Sequence, residues 1–197
     1  MRNRNTSGNS SFVMLKANGV NFKTIIDVGV GDKGTPVFLD LFPEAKHILI
    51  ENDTVVLDEI KRTYTGARID YELIEAHVDE FNNPLNNILK HHKHKWLRPC
   101  ILKIDIDGLD LQALRGAIEL FPYVDWILIE TTIKVNRLYK KLDFLCRQHN
   151  WVLWDIVDPH YGYGRLVQVD LLFCRPEMYD EMENVKNKAY TPIQIHI

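Results

Sequence analysis

Two glycines and two acidic residues with a characteristic spacing are the residues of this sequence best suited to hold a ligand. Asp27, Gly29 and Gly31 close one apolar run, and Glu51 closes the next. A glycine turn directly after a strand lets the backbone approach a ligand, because no Cβ stands in the way. A carboxylate about 20 residues later, at the end of a second strand, is placed to bind a ribose diol. The spacing therefore predicts a site for a molecule that contains adenosine.

Two cofactor classes fit this spacing. Gly29, Gly31 and Gly34 satisfy the G-x-G-x-x-G pattern that is typical of dinucleotide binding. The carboxylate of Asp27, however, would repel a pyrophosphate at the end of the strand and attract the amino group of S-adenosylmethionine. Asp32 adds a second carboxylate inside the turn. The sequence favours S-adenosylmethionine as cofactor, with a dinucleotide and a turn without any ligand as the alternatives.

The order of strand and helix patterns predicts the arrangement that must position this turn. Strand-like runs alternate with helical patterns along the chain, which is typical of a parallel sheet with helices on both faces. Trp151 to Val157 and Leu166 to Cys174 are joined by a loop too short for a parallel crossover, so they predict an antiparallel hairpin. We therefore expect an α/β, doubly wound, mainly parallel seven-stranded sheet with a C-terminal antiparallel hairpin. This Rossmann-like arrangement is that of class I methyltransferases.

Length and composition predict one domain of ordinary globular character. The chain has 197 residues, and we expect a flexible polar tail over 1–11, the core over 12–176 and an extension over 177–197. The tail lacks the apolar stretch of a signal peptide, and no apolar run is long enough for a membrane span. A net charge of -3 gives no general reason to expect nucleic acid. Three cysteines in apolar contexts predict buried thiols in a reducing compartment, so we expect a cytoplasmic protein. From the charge and the apolar runs we expect neither nucleic acid nor a membrane as partner.

Acidic residues collect where the predicted parallel strands end. Ligands of such sheets bind at the carboxyl ends of the strands, and an acidic edge suits a positively charged sulfonium. The alternative interpretation is that several of these acids cap helices. The residues at these ends are Asp27 and Gly29, Glu51 and Asn52, Asp105 and Asp107, Glu130 and Thr131, and, if the sixth strand runs parallel, Asp158 and His160.

Four segments of the chain resemble the FkbM family of S-adenosylmethionine-dependent methyltransferases. They comprise residues 24–31, 102–108, 114–117 and 169–173. The stretch from Leu102 to Ala117 is the most specific and is similar to the family's LKIDVEG-x-E-x-x-VLKGA signature, with Asp107 and Asp110 at its acidic positions. The resemblance implies a class I fold and methyl transfer to oxygen, commonly a hydroxyl of a sugar or natural product. The chain departs from the family pattern between Val78 and Cys100.

The expected site residues follow from the strand ends and the resemblance. We expect the cofactor to be bound by Asp27, Gly29, Gly31, Glu51 and Asn52. Asp105 should line the acceptor pocket, and His160 is the preferred general base because histidine exchanges protons near neutral pH. Substrate contacts are expected from Asp107, Glu130, Tyr161 and Tyr163. The loop 158–165 suits a sugar or planar acceptor, with a plain hairpin turn as the alternative.

Three further interpretations are weaker. Asp105, Asp107 and Glu130 could hold Mg²⁺ through oxygen ligands, but Glu130-Thr131-Thr132 stands where metal-dependent catechol-type methyltransferases usually have Asp-Asn, and we predict no metal. A binding or scaffold protein that kept the fold without turnover is the rival to an enzyme. The interpretation of the chain as an NAD-linked oxidoreductase is supported only by the glycine spacing.

Overall fold

A seven-stranded β-sheet forms the centre of the structure, a computed structural model that describes residues 8–133 and 136–189. The strands are β1 (Thr24–Val28), β2 (Lys46–Glu51), β3 (Tyr71–Glu75), β4 (Cys100–Ile104), β5 (Trp126–Thr132), β6 (Val152–Gly162) and β7 (Arg165–Cys174). Their order is β3-β2-β1-β4-β5-β7-β6, and β7 runs antiparallel to both of its neighbours. Because two antiparallel pairings restore the direction, β6 runs parallel to the central strands. The predicted sheet and its C-terminal hairpin are confirmed.

Helices cover both faces of the sheet. They are α1 (Gly8–Ala17), α2 (Pro36–Leu41), α3 (Leu57–Gly66), α4 (Leu85–Ile88), α5 (Asp110–Arg115), α6 (Arg137–Leu142) and α7 (Pro176–Ala189). Apolar side chains of α4, α5 and α6 pack on one face, and those of α1, α2, α3 and α7 pack on the other. A short π-helical segment, Asp143–Gln148, continues α6. The sheet is therefore doubly wound, as the sequence predicts.

The central strands are buried on both faces, which explains their nearly continuous apolar sequence. Every residue of β1 and β4 is buried. Asp27 and Lys103 are the charged exceptions in these two strands, and they are partners in the parallel register between β1 and β4. Two charges at the centre of a buried sheet are costly unless they are well paired. These two residues therefore indicate that a functional site borders the core here.

The two ends of the domain differ from the sequence prediction. Helix α1 begins at Gly8, so the flexible-tail prediction is wrong for residues 8–11, while residues 1–7 lie outside the described residues. Phe12 is fully buried, and the Ser11 hydroxyl donates to Asp155 at 2.6 Å. At the other end, Met182 of α7 is buried in the same cluster. Both terminal helices therefore complete the core that the sequence assigned to residues 12–176.

The hairpin is longer than predicted. Strand β6 continues through the expected loop to Gly162, and β7 begins at Arg165. The turn consists of Tyr163 and Gly164, whose φ angles are +52° and +75°, the left-handed conformation that two-residue hairpin turns favour. The register between β6 and β7 is irregular around His160. The tip consequently extends past Thr132, the last residue of β5.

The cysteines are free thiols. Cys100 and Cys174 are buried and Cys146 is half-buried. Burial raises the pKa of Cys174 to about 12, so this thiol is not a reactive nucleophile near neutral pH. Among the described residues, no helix is both long enough and apolar enough to cross a membrane.

Candidate active site

A cleft of about 720 Å³ opens at the carboxyl ends of β1, β2, β3 and β4. Small-molecule sites of this kind commonly enclose about 300–1,000 Å³. The walls are the turn after β1, the end of β2, the segment after β3 and the loop after β4. The polar and glycine residues that line it include Gly29, Gly31, Thr35, Glu51, Asn52, Asp53, His77, Lys103, Asp105 and Asp107.

The turn after β1 needs glycine at two positions for two different reasons. Gly29 has a φ of +79°, and a Cβ there would lie 1.8 Å from the backbone oxygen of Asp105. The turn therefore packs directly on the end of β4, and any side chain at Gly29 would push these segments apart. Gly31 has a φ of +64° with open space around its Cβ position. At Gly31 the backbone conformation, not crowding, favours glycine.

Glu51 ties this turn to the end of β2. The side chain is buried at 7% exposure, and its carboxylate accepts three backbone hydrogen bonds. Oε2 accepts from Gly31 N at 2.9 Å, and Oε1 accepts from Asn52 N at 2.8 Å and Asp53 N at 2.9 Å. A carboxylate offers about four acceptor positions. Glu51 therefore shapes the cleft and retains capacity for a ligand hydroxyl.

Asp27 lies beneath the turn and is fully buried. Its carboxylate accepts from the Thr35 hydroxyl at 2.7 Å and from Lys103 Nζ at 3.1 Å, and it is not among the residues that line the cleft. The sequence placed Asp27 against the cofactor itself. In the structure its charge is directed to Lys103, which does line the cleft.

Lys103 connects the glycine turn after β1 to the end of β4. Besides Asp27, its Nζ lies 3.3 Å from the Gly29 carbonyl oxygen and 3.3 Å from Asp105 Oδ2. Burial would lower the pKa of Lys103, but the carboxylates of Asp27 and Asp105 raise it above its ordinary value. Lys103 therefore stays charged. The signal available in the sequence was a lysine inside an otherwise apolar strand.

Three carboxyl groups, those of Asp105, Glu130 and Asp170, follow one another beyond Lys103 across β4, β5 and β7. Asp105 hydrogen-bonds to Glu130, and Asp170 stands opposite Glu130 in the register between β5 and β7. The hydrogen bond to Asp105, burial and the surrounding carboxylates raise the pKa of Glu130 to about 8. Burial and the nearby Asp105 and Asp158 raise that of Asp170 to about 7. Burial alone would raise the pKa of Asp105, but its bonds to Glu130 and Lys103 lower it.

A second buried lysine, which no sequence pattern singles out, holds this region together. Lys141 of α6 is 3% exposed, lies 3.1 Å from Asp110 Oδ2 and donates to the backbone carbonyl oxygen of Glu130. Asp110 in turn accepts from Ile106 N at 3.0 Å. Lys141 thereby links the loop after β4 to the end of β5. Asp107 lines the cleft within this loop, and its φ of +44° is strained for a residue other than glycine.

The hairpin residues predicted as catalytic or substrate-binding lie apart from the cleft. His160, Tyr161 and Tyr163 are exposed near the tip, the two tyrosines at 71% and 106%. None of the three lines the cleft. The structure brings together Gly29, Gly31, Glu51, Asn52, Asp105 and Asp107 around one cavity, whereas the buried Asp27 and Glu130 and the three hairpin residues are not part of its lining.

The segment after β3 supplies a wall that the sequence did not predict. Ala76, His77 and Val78 line the cleft opposite the glycine turn. His77 Nδ1 lies 3.4 Å from Asn52 Nδ2, so this wall contacts the end of β2. The combination of small apolar side chains and an imidazole edge can accommodate a planar ring.

Among the described residues, no three His, Cys, Asp or Glu side chains are grouped so that they could hold a metal ion. Asp105 is instead bonded to Lys103 and Glu130. These contacts occupy the carboxylate that a metal would need.

The raised pKa values of Glu130 and Asp170 predict how stability changes with pH. Both groups keep a proton in the folded protein at a pH where the unfolded chain has lost it, so the free energy of unfolding should fall as pH rises from about 5 to about 8, with the Asp170 contribution ending near pH 7 and that of Glu130 near pH 8. The slope is at most about 1.4 kcal/mol per pH unit for each such proton. Urea unfolding at several pH values should show this fall in the wild type and a shallower one in Glu130→Gln. A Glu119→Gln control, which removes a carboxyl that is 70% exposed, should keep the wild-type slope. An identical slope in Glu130→Gln would contradict the assignment.

Solved structures with the same fold include several methyltransferases. The METTL16 MTase domain superposes with a TM-score of 0.59 and 13% sequence identity, covering 84% of this chain and 65% of that one. An rRNA methylase from Streptococcus thermophilus gives a TM-score of 0.56, 11% identity and coverages of 84% and 94%. A precorrin-6y C5,15-methyltransferase from Geobacter metallireducens gives a TM-score of 0.53 and 15% identity, covering 85% of this chain and 87% of that one. Of the METTL16 domain, by contrast, this chain spans less than two thirds.

These likenesses establish the class of the fold. The strand order and the antiparallel hairpin, together with the superpositions, define a class I methyltransferase fold. No protein-family model matches the sequence, and no curated protein matches it. Membership of the FkbM family therefore stays a prediction.

Proposed function

We propose that this protein is an S-adenosylmethionine-dependent methyltransferase. The observation that carries the proposal is the buried carboxylate of Glu51, held against the Gly29–Gly31 turn in a cleft of the class I fold. When bound, the cofactor supplies a methyl group activated by a positively charged sulfur. Glu51 would accept a ribose hydroxyl, the turn would approach the ligand through its backbone, and Ala76 to Val78 would border the adenine ring.

The charges around the cleft support this cofactor over a dinucleotide. Carboxylates of Glu51, Asp53, Asp105 and Asp107 line it, and the ammonium of Lys103 is already paired with Asp27 and Asp105. A pyrophosphate would meet net repulsion here, whereas a sulfonium would meet attraction. The antiparallel β7 also departs from the dinucleotide-binding strand order.

For the acceptor, we propose a hydroxyl group on a sugar or natural-product-like small molecule. The carboxylates of Asp105 and Asp107, which line the cleft, disfavour a polyanion and can accept hydrogen bonds from hydroxyls. The exposed rings of Tyr161 and Tyr163 offer flat surfaces at the periphery. The resemblance to the FkbM family supports the same acceptor class. RNA, which the name of one structural neighbour mentions, is the competing acceptor.

The most direct test of acceptor class uses a labelled methyl donor. Cell extract is incubated with the protein and S-adenosylmethionine carrying an isotopically labelled methyl group, and small molecules and RNA are then analysed separately by mass spectrometry. Label in a hydroxyl-bearing small molecule supports the proposal. Label confined to RNA would overturn the acceptor class, and no transfer beyond background would favour the scaffold alternative.

Glu51→Ala should weaken binding of S-adenosylhomocysteine roughly tenfold to a hundredfold, because hydrogen bonds to a charged group typically contribute about 1.5–3 kcal/mol. Isothermal titration calorimetry measures this affinity. The variant also loses three backbone hydrogen bonds, so its folding is checked by thermal unfolding without ligand. Glu75→Ala, which removes an exposed carboxylate at the end of the neighbouring strand, is the control. Unchanged affinity in a folded Glu51→Ala protein would disprove the ribose assignment.

A further inference from the structure

Asp105 and Glu130 follow directly on Ile104 and Ile129, which are partners in the parallel register between β4 and β5, so their carboxyl groups lie side by side, and they form a hydrogen-bonded pair. Asp105 lines the cleft, and Glu130 lies beside it at 9% exposure. Two carboxyl groups can hydrogen-bond to each other only while one of them carries a proton. The pair also adjoins the cofactor side of the cleft, because the Asp105 backbone packs directly on Gly29.

The surroundings of the pair decide where its proton resides. Lys103 lies 3.3 Å from Asp105 and keeps this member ionised, so the proton remains on Glu130. Near neutral pH the pair therefore holds one proton, and it releases that proton when pH rises past about 8. The other charged groups that face the pair or its partners are Asp27, Asp110, Lys141, Asp158 and Asp170.

We propose that Asp105 and Glu130 act as one proton-accepting unit for a hydroxyl acceptor bound at this end of the cleft, an inference that rests on the proposed function. As the acceptor oxygen bonds to the methyl carbon, the carbon–sulfur bond breaks and its electron pair stays on sulfur. Binding of the positively charged sulfonium first expels the proton of the pair to solvent, so that both carboxyl groups are ionised. The hydroxyl proton then passes to the Asp105 carboxylate and is shared with Glu130.

The pair suits this role better than an isolated carboxylate would. A general base works best when the pKa of its protonated form is near the working pH, and an ordinary carboxylate is far too weak a base. The geometry also favours the pair over His160, which is exposed on the hairpin and does not line the cleft.

Proton release on ligand binding tests the inference without an acceptor. Calorimetry of S-adenosylmethionine and of S-adenosylhomocysteine, each at pH 7.5 in buffers of different ionisation enthalpy, gives the number of protons released. The two ligands differ by one methyl group and one positive charge. A positive charge beside the pair should expel its proton, so the sulfonium should release about half a proton more than the neutral sulfide. This difference should vanish in Glu130→Gln and persist in Glu119→Gln.

The outcomes separate the inference from the proposed function. Binding of both ligands by the wild type with equal proton release would overturn the inference and leave the cofactor assignment intact. Absence of binding by either ligand would overturn the proposed function itself. If Glu130→Gln fails to fold, the wild-type comparison still decides, and Asp105→Asn serves as the second variant that should abolish the difference.

Discussion

Replacing Lys103 with methionine is expected to lower the free energy of unfolding by about 3–5 kcal/mol, the usual cost of removing one partner from a buried ion pair. The variant leaves the fully buried Asp27 carboxylate without its cation and removes the link from Asp27 to Asp105. Urea unfolding followed by circular dichroism measures the loss. The same variant should bind S-adenosylhomocysteine more weakly, because Lys103 also contacts the Gly29 carbonyl oxygen.

Two controls separate this effect from the loss of any lysine. Lys46→Met breaks an ion pair with Asp70 whose side chains are 39% and 72% exposed, and it should change stability little. The double variant Asp27→Asn, Lys103→Met removes both buried charges and should recover part of the loss. Equal stability of Lys103→Met and Lys46→Met would show that the buried pair is not important to the fold.

Gly29→Ala is expected to disrupt the cleft far more than Gly31→Ala. The new methyl group at Gly29 would lie 1.8 Å from the Asp105 backbone oxygen, so the turn and β4 must separate. At Gly31 the same methyl enters open space, and the cost is that of a left-handed alanine, about 1–2 kcal/mol. Thermal unfolding should show a far larger loss of stability in Gly29→Ala than in Gly31→Ala, and calorimetry should show lost binding of S-adenosylhomocysteine in Gly29→Ala. Similar behaviour of the two variants would contradict the close packing of the turn on β4.

The sequence was informative wherever the signal is local. The Gly29–Gly31 turn and Glu51 are readable because each directly follows an apolar strand, and the structure brings them together in one cleft. The hairpin was readable because its connection is too short for a crossover. Local signals failed at residues 8–11, whose polar composition predicted part of a tail but which begin helix α1. Phe12 of the same helix packs edge-on against Phe38 with ring centroids 5.2 Å apart, a contact that tertiary structure alone supplies.

Long-range pairing explains what the sequence could not predict at the site. The partner of Asp27 is Lys103, 76 residues away, and the partner of Asp110 is Lys141, 31 residues away. Without these partners, Asp27 was assigned to the cofactor, although its charge is neutralised inside the sheet. The wall formed by Ala76 to Val78 was missed because its position depends on how β3 pairs with β2.

Binding of S-adenosylmethionine in the cleft is measured by calorimetry of the purified wild-type protein with S-adenosylhomocysteine and, separately, with NAD⁺, and Gly29→Ala tests whether binding occurs at this cleft. We expect saturable binding of one S-adenosylhomocysteine per chain, no binding of NAD⁺, and loss of S-adenosylhomocysteine binding in Gly29→Ala. Binding of NAD⁺ in preference to S-adenosylhomocysteine, or binding of neither by the folded wild type, would disprove the assignment of the cofactor.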